Sequence, residues 1–248
     1  MFAGVSGAKR EIKKLYAGVA GASREIFSGE TPLSDIPVGT AVKLRESGSW
    51  VDYLIVHQGK PSSIYDDSCN GSWLLREDLL PKRVYDSNNV PNFAESDIYI
   101  ILNEEILGQY DSNIQQNIRN VKIPYHTGRE GIAPNAGANG LSCKVFLLGG
   151  YEVGFTTDIT ASLPIDGAKL SYFETGTGDS ANSRRIALLN GSGDSWWLRS
   201  PDIGGGSNVW NVLGDGDWSR SLARLSRGIR PALVFPSDYP IQDDMTII

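Results

Sequence analysis

Few residues in this 248-residue chain are spaced to do chemistry. His57 and His126 are the only histidines, and no Gly-x-Ser-x-Gly elbow accompanies either to present a serine nucleophile. The two cysteines, Cys69 and Cys143, can form one disulfide but no disulfide framework, and no His/Cys cluster has zinc-ligand spacing. The stretch DIGGGSN at 202–208 lacks the pattern and the lysine of a phosphate-cradling loop, so it reads as a flexible loop. LGDGD at 213–217 sets two carboxylates two residues apart, as calcium loops do. The distal glutamate of such loops is missing, so a tight turn is expected, with no metal and no other cofactor. These residues point away from an enzyme and towards binding.

The strongest local signal is WWLRSP at 196–201, followed by GIRPALVF at 228–235. Trp196, Trp197, Trp210, Gly228 and Pro231 read as packing residues of a frame. In the same frame Arg199 and Arg230 are expected to hydrogen-bond loop carbonyls that no strand partner satisfies. The segment clamped between the two motifs contains no Lys, Glu, Gln or Met, although those types supply 27 residues of the chain, and the gap runs from Glu174 to Gln242. Its Ser, Asn, Asp, Leu and Arg alternate with small residues and tryptophans, the mixture of adaptable polar groups and rigid aromatics found in paratopes. Ligand contacts are therefore expected at Ile203, Ser207, Asn211, Leu213, Asp217, Ser219, Arg220, Leu222, Arg224, Leu225 and Arg227. Trp218 reads as core or as a stacking platform, with core favoured.

The elements that must position these residues are short. VGTAVKLRES, WVDYLIVHQG and GSWLLRED read as strands separated by Gly, Ser, Asn and Asp turns. Ser96 and Asp97 can cap a helix in which Ile98, Ile101, Leu102 and Ile106 recur at helical spacing, and Ile114 and Ile118 mark a second short helix. HTGREGIAPNAGANG reads as a long loop, and CKVFLLGGYEVGF and SYFETG as strand pieces. The sum is an α+β fold with small antiparallel sheets, two helices and long ordered loops. Residues 1–29 form a separate segment in which GVSGAKREI (4–12) and GVAGASREI (18–26) agree at seven of nine positions, suggesting two small hairpins. Residues 28–35 read as a linker, and 30–248 as the main domain.

Composition narrows the classes further. No apolar run is long enough to span a membrane, and the amino terminus lacks the apolar stretch of a secretory signal. With 23 basic and 29 acidic residues and no basic block, neither nucleic-acid binding nor membrane insertion is expected.

The frame WWLRSP…VWNV…GDW…GIRPALVF resembles the C-terminal module of proteins from phages and prophages of gut Firmicutes. VHQGKPSSIYDDSCNGSWLL, SDIYIILN, VKIPY, GANGLSCKVFLLGGYEVG, DGAKLSYF and RIALLNGS carry the same likeness, and the amino-terminal repeats are similar to repeats of tail-associated proteins. The frame also resembles the variable proteins of diversity-generating retroelements, which have a C-type lectin-like fold. There a reverse transcriptase rewrites adenines, often in Asn codons, which cannot yield Lys, Glu, Gln, Met or Trp, so the resemblance implies that Trp210 and Trp218 are fixed packing residues or that one of them is a departure. The resemblance implies a receptor-binding protein of a virion tail or tail fibre, made in the bacterial cytoplasm. Its expected partners are a host-cell surface protein or glycan, other tail proteins through residues 1–29, and two further copies in a homotrimer. Formylglycine-generating enzymes share the fold, but they use cysteines late in the chain, and here none follows Cys143. A purely structural tail or baseplate component and a bacterial surface-displayed binding protein are the alternative readings.

Overall fold

The computed structural model describes residues 31–248 in full and, within residues 1–30, the backbone of four strands. These four are β1 (Phe2–Val5), β2 (Ala8–Glu11), β3 (Lys14–Val19) and β4 (Ala22–Ser28), and β1 pairs with β2 and β3 with β4, both antiparallel. β5 (Thr31–Pro32) pairs with the last strand, and Leu33 after it is fully buried. Residues 31–35 therefore pack into the domain instead of linking to it.

β6 (Ala41–Glu46) alternates buried Val42 and Leu44 with exposed Lys43 and Arg45, as a half-buried strand should. It turns into β7 (Ser49–Gly59) through Ser47 and Gly48, whose φ values of 47° and 82° suit a two-residue hairpin turn. β8 (Gly71–Arg76) is buried from Gly71 to Leu75 because β7 and the later strand of residues 232–235 flank it and both its faces are covered. β9 (Leu80–Val84) instead shows Pro81, Lys82 and Arg83 to solvent, which befits an edge strand. α1 (Asp97–Ile101) starts where Ser96 Oγ accepts from the Tyr99 N–H at 3.4 Å. The helical path continues beyond it in a wider turn and buries Ile98, Leu102 and Ile106. α2 (Ser112–Asn117) buries Ile114, with Ile118 following it into the core.

β10 (Val121–Ile123) pairs with β11 (Leu141–Cys143) across the long loop. The chain after Cys143 departs from expectation. Residues 144–155 form no strand beyond an isolated bridge from Phe146 to Ala232, and 171–176 form turns. Side chains take the place of a ladder there. Asn103 Oδ1 accepts from the Lys144 and Val145 N–H groups, Ser200 Oγ accepts from Gly150 N–H and Glu152 from Gly149 N–H. With backbone groups satisfied this way, an apolar run can be buried without joining a sheet.

The last third holds α3 (Asp179–Ser183), a tight hairpin of β12 (Leu188–Leu189) and β13 (Ser192–Gly193), and β14 (Trp196–Pro201). β15 (Asn208–Val212), β16 (Trp218–Leu222), β17 (Ser226–Ile229), β18 (Ala232–Phe235) and β19 (Pro240–Ile241) follow. Two main sheets result, one ordered β18-β8-β7-β6 and one ordered β16-β15-β14-β17-β9, in which only β14 and β17 run parallel. The fold is thus mixed α and β, with small sheets and few helices. T-shaped contacts of Trp73 with Phe146 (5.4 Å) and Tyr65 (5.6 Å) mark its core. Cys69 and Cys143 are both buried and unpaired thiols.

Candidate functional site

The segment between the two motifs hangs from a buried frame. Every residue of β14 is buried. Trp196 Nε1 donates to Arg185 O (3.0 Å) and Trp197 Nε1 to Arg83 O (3.1 Å), so both large rings are placed by polar as well as apolar contacts. Arg199, fully buried, donates to the carbonyls of Pro124 (2.9 Å), Leu147 (3.0 Å) and Asp166 (2.8 Å). It also grips both carboxylate oxygens of Glu152, at 2.6 and 2.7 Å. Burial works against the Arg199 charge, but the Glu152 carboxylate outweighs it and holds the guanidinium pKa above its ordinary value. Arg230 lies over the Trp196 ring at 5.1 Å and donates to Arg76 O (2.9 Å) and Arg185 O (3.4 Å). Among the described residues no carboxylate grips it as Glu152 grips Arg199, and burial pulls its pKa down to about 10. Gly228 lets β17 lie close to the start of β14: its N–H donates to Ser195 O (2.8 Å), and a Cβ there would stand 3.1 Å from that carbonyl. Pro231 is buried beside it, its carbonyl accepting from Arg76 N–H at 2.9 Å.

Three frame residues escaped the sequence reading. Arg185 is fully buried over the Phe155 ring (4.2 Å) and donates to Val153 O, Gly216 O and Gly176 O, tying the β15–β16 turn to the frame. Glu152 and Asp166 complete the buried network, and Ser200 Oγ donates to the Asp166 carboxylate at 2.8 Å. Glu152 had a signal, a single acid inside the apolar stretch 145–155. Arg185 and Asp166 sit in ordinary polar turns and had none.

The eleven expected contact residues do not form one surface. The sheet divides them, because residues paired across antiparallel strands share a face. Ser219 pairs with Asn211 and Asn211 with Trp197, placing these three together on one face, along with Ser221. Arg227 reaches over Trp197 (5.8 Å) to donate to Ser221 Oγ (2.9 Å). Asn211 is fully buried, which corrects its placement among exposed contacts, since it is enclosed between two partner strands. Both of its amide atoms, and Arg227 Nε, are buried without a partner among the described residues. The opposite face carries Trp210, Trp218, Arg220 and Leu222. There the Arg220 guanidinium stands over both tryptophan rings (5.8 and 5.9 Å), which lie 5.4 Å apart. Arg220 also pairs with Asp202 (2.9 Å) and donates to Ser162 Oγ (3.1 Å). Trp218 is half-buried, so it is partly core and partly platform, while Trp210 is fully buried.

The remaining contacts fall at the two ends of the hairpins. Leu213 and Asp217, half-buried, flank the β15–β16 turn, where Asp215 Oδ1 accepts from Asp217 N–H and Asp217 Oδ1 from Trp218 N–H. The two carboxylates thus shape a turn, and among the described residues no cluster of three His, Cys, Asp or Glu is placed to hold a metal. Ile203 and Ser207 are half-buried in the β14–β15 turn, and Ser207 O accepts from Ala223 N–H. Arg224 and Leu225 protrude from the β16–β17 turn, Leu225 at 43% exposure. Of the histidines, His57 Nδ1 is 2.8 Å from Ser171 Oγ, and burial lowers its pKa. His126 is buried within its own loop.

Residues 70–237 match the family described as a domain of unknown function, DUF6273, and the chain belongs to that family. The matched region runs from the start of β8 to the end of β18 and so contains the whole frame. No curated protein and no solved structure matches the chain.

Proposed function

We propose that this chain is a ligand-binding protein of a phage or prophage tail, with a C-type lectin-like scaffold that presents residues 202–227 to a host-cell surface protein or glycan. One observation carries the reading: the partly exposed Arg220 and Leu222 stand on β16, in the same sheet as β14, whose Arg199 is at 0% exposure, and Arg230, which directly follows β17 of that sheet, is at 1%. A surface ordered before binding loses little entropy on contact, and its side chains can vary without refolding the frame. The Arg220 shelf is the principal contact region, because it joins a cation, two aromatic rings and the half-buried Leu222 on one face. The absence of Lys, Glu, Gln and Met across it supports diversification by adenine rewriting. The small antiparallel sheets and long ordered loops support the lectin-like scaffold. Residues 1–29 would join the domain to other tail proteins or to further copies in a trimer, which would multiply weak individual contacts.

The test is attachment against assembly. Arg220→Ala/Leu222→Ala is expected to fold and assemble into tail particles normally, yet to lose attachment to host cells. Particles that attach normally, or a chain that fails to assemble while remaining folded, would favour a purely structural tail component.

A further inference from the structure

A second site, independent of the Arg220 shelf, lies between residues 90–95 and the loop 127–135. These segments border an open cleft of about 510 Å³, within the range of small-ligand sites. Its lining has unlike parts. Val90 and Ile132 are apolar, and Ile132 is 48% exposed although large and hydrophobic. Glu95 and Arg129 bring opposite charges to the same cleft, yet they form no ion pair with each other or with any other described residue. Asn135 lines it with an amide that bonds to no described side chain. Thr127 lines it too, and its Oγ1 is buried with no partner among the described residues. Such a hydroxyl weakens the fold unless something supplies its hydrogen bond.

The loop is held ready. Gly128 N–H donates to His126 Nδ1 (2.9 Å), so Nε2 carries the proton and donates to Ile132 O (2.8 Å). Tyr125 and Asn135 exchange two backbone hydrogen bonds of 3.0 and 2.9 Å, closing the loop's base. Gly128, at φ +85°, is seated where a Cβ would come within 3.3 Å of Pro201 and Pro91, which fixes the loop against β14. His126 thereby acts as a positioning residue for the cleft wall.

We infer that this cleft binds a small dipolar ligand, a free α-amino acid with an aliphatic side chain. Its carboxylate would meet Arg129, its ammonium Glu95, and its side chain Val90 and Ile132, with Thr127 and Asn135 donating to or accepting from the head group. A cation and an anion that line one cleft without pairing match a ligand that carries both charges, whereas a neutral hexose would engage neither as an ion pair.

Isothermal titration of the full chain tests this with L-leucine, N-acetyl-leucine, leucinamide and glucose. L-leucine is expected to bind saturably at millimolar concentration, and the two analogues lacking one charge at least about tenfold more weakly. Arg129→Gln and Glu95→Gln each weaken leucine binding about tenfold or more, and Thr127→Val weakens it several-fold. Both charged residues are exposed, so the first two variants keep the melting temperature of the unliganded chain. No saturable leucine binding overturns the inference. So does binding of leucinamide, N-acetyl-leucine or glucose as tight as that of leucine, or leucine binding unchanged in the Arg129 and Glu95 variants.

Discussion

Removing Arg199 tests the frame at its most loaded point. The guanidinium satisfies three backbone carbonyls and both oxygens of a carboxylate that is itself 0% exposed. Glu152 keeps two other partners in an Arg199→Met chain, the Tyr65 hydroxyl at 2.6 Å and the Gly149 N–H at 2.8 Å. Those neutral donors do not balance a buried negative charge. Breaking a buried pair by removing one partner costs about 3–5 kcal/mol. Each orphaned carbonyl adds to that, at roughly 1 kcal/mol or more where no water replaces the donor. Against a total stability of about 5–15 kcal/mol, Arg199→Met either fails to fold or loses about 10–20 °C of melting temperature at this chain length. Urea denaturation of Arg199→Met, Glu152→Gln and the double variant closes a cycle. The double variant is expected to be more stable than additivity allows by at least about 2 kcal/mol, because the second substitution removes the stranded charge. Costs that add within about 0.5 kcal/mol would refute the claim that this pair anchors β14.

Three further expectations follow from the same structure. Burial pushes the Asp166 carboxyl up to about 6, against the pull of the Arg199 charge and the Ser200 hydroxyl. The folded state therefore holds that proton more tightly than the unfolded state. The stability this contributes is complete below about pH 4 and lost as pH rises through about 6, so Asp166→Asn gains on the parent by up to about 3 kcal/mol between those limits. Urea midpoints at pH 4 and 7.5 check this, and a pH-independent difference would contradict it. Gly216, at φ +84°, would place a Cβ 2.1 Å from Asn182 O, so Gly216→Ala should cost well over the roughly 1 kcal/mol expected of Gly205→Ala, at φ +107° in open space. Thermal melts of the two variants decide that, and equal losses would sink it. Burial pushes the Cys69 thiol up to about 12 and raises Cys143 as well, so neither should react with a thiol reagent at pH 8 before unfolding. Rapid modification of either in the native chain would contradict that expectation.

The parts of the fold that were legible in the sequence are those governed by local pattern. Strand composition between turn residues marked β6, and the Ser96 cap with apolar spacing marked α1, while the motifs 196–201 and 228–235 marked residues that the structure buries. What escaped depends on partners far along the chain. Residues 144–155 look like a strand because strands and buried irregular runs are equally apolar. That backbone bonds in good part to side chains, those of Asn103, Glu152, Arg199 and Ser200 among them, which spacing along the chain does not show. The same limit applies to the contact surface. Spacing showed that residues 202–227 alternate, but not that the alternation would send Asn211, Ser219 and Arg227 to one side and Arg220 and Leu222 to the other. A buried Asn with both amide atoms unpartnered could not be foreseen from composition that favoured exposure.

Sequencing the codons for residues 196–231 across the source population would show whether residues 202–227 are, as proposed, a changeable surface on a fixed frame. Substitutions are expected at adenine-derived positions such as Arg220, Leu222, Arg224 and Leu225, with Trp196, Arg199, Gly228 and Arg230 unchanged. Substitutions spread evenly over frame and surface, or a segment without variation, would contradict it.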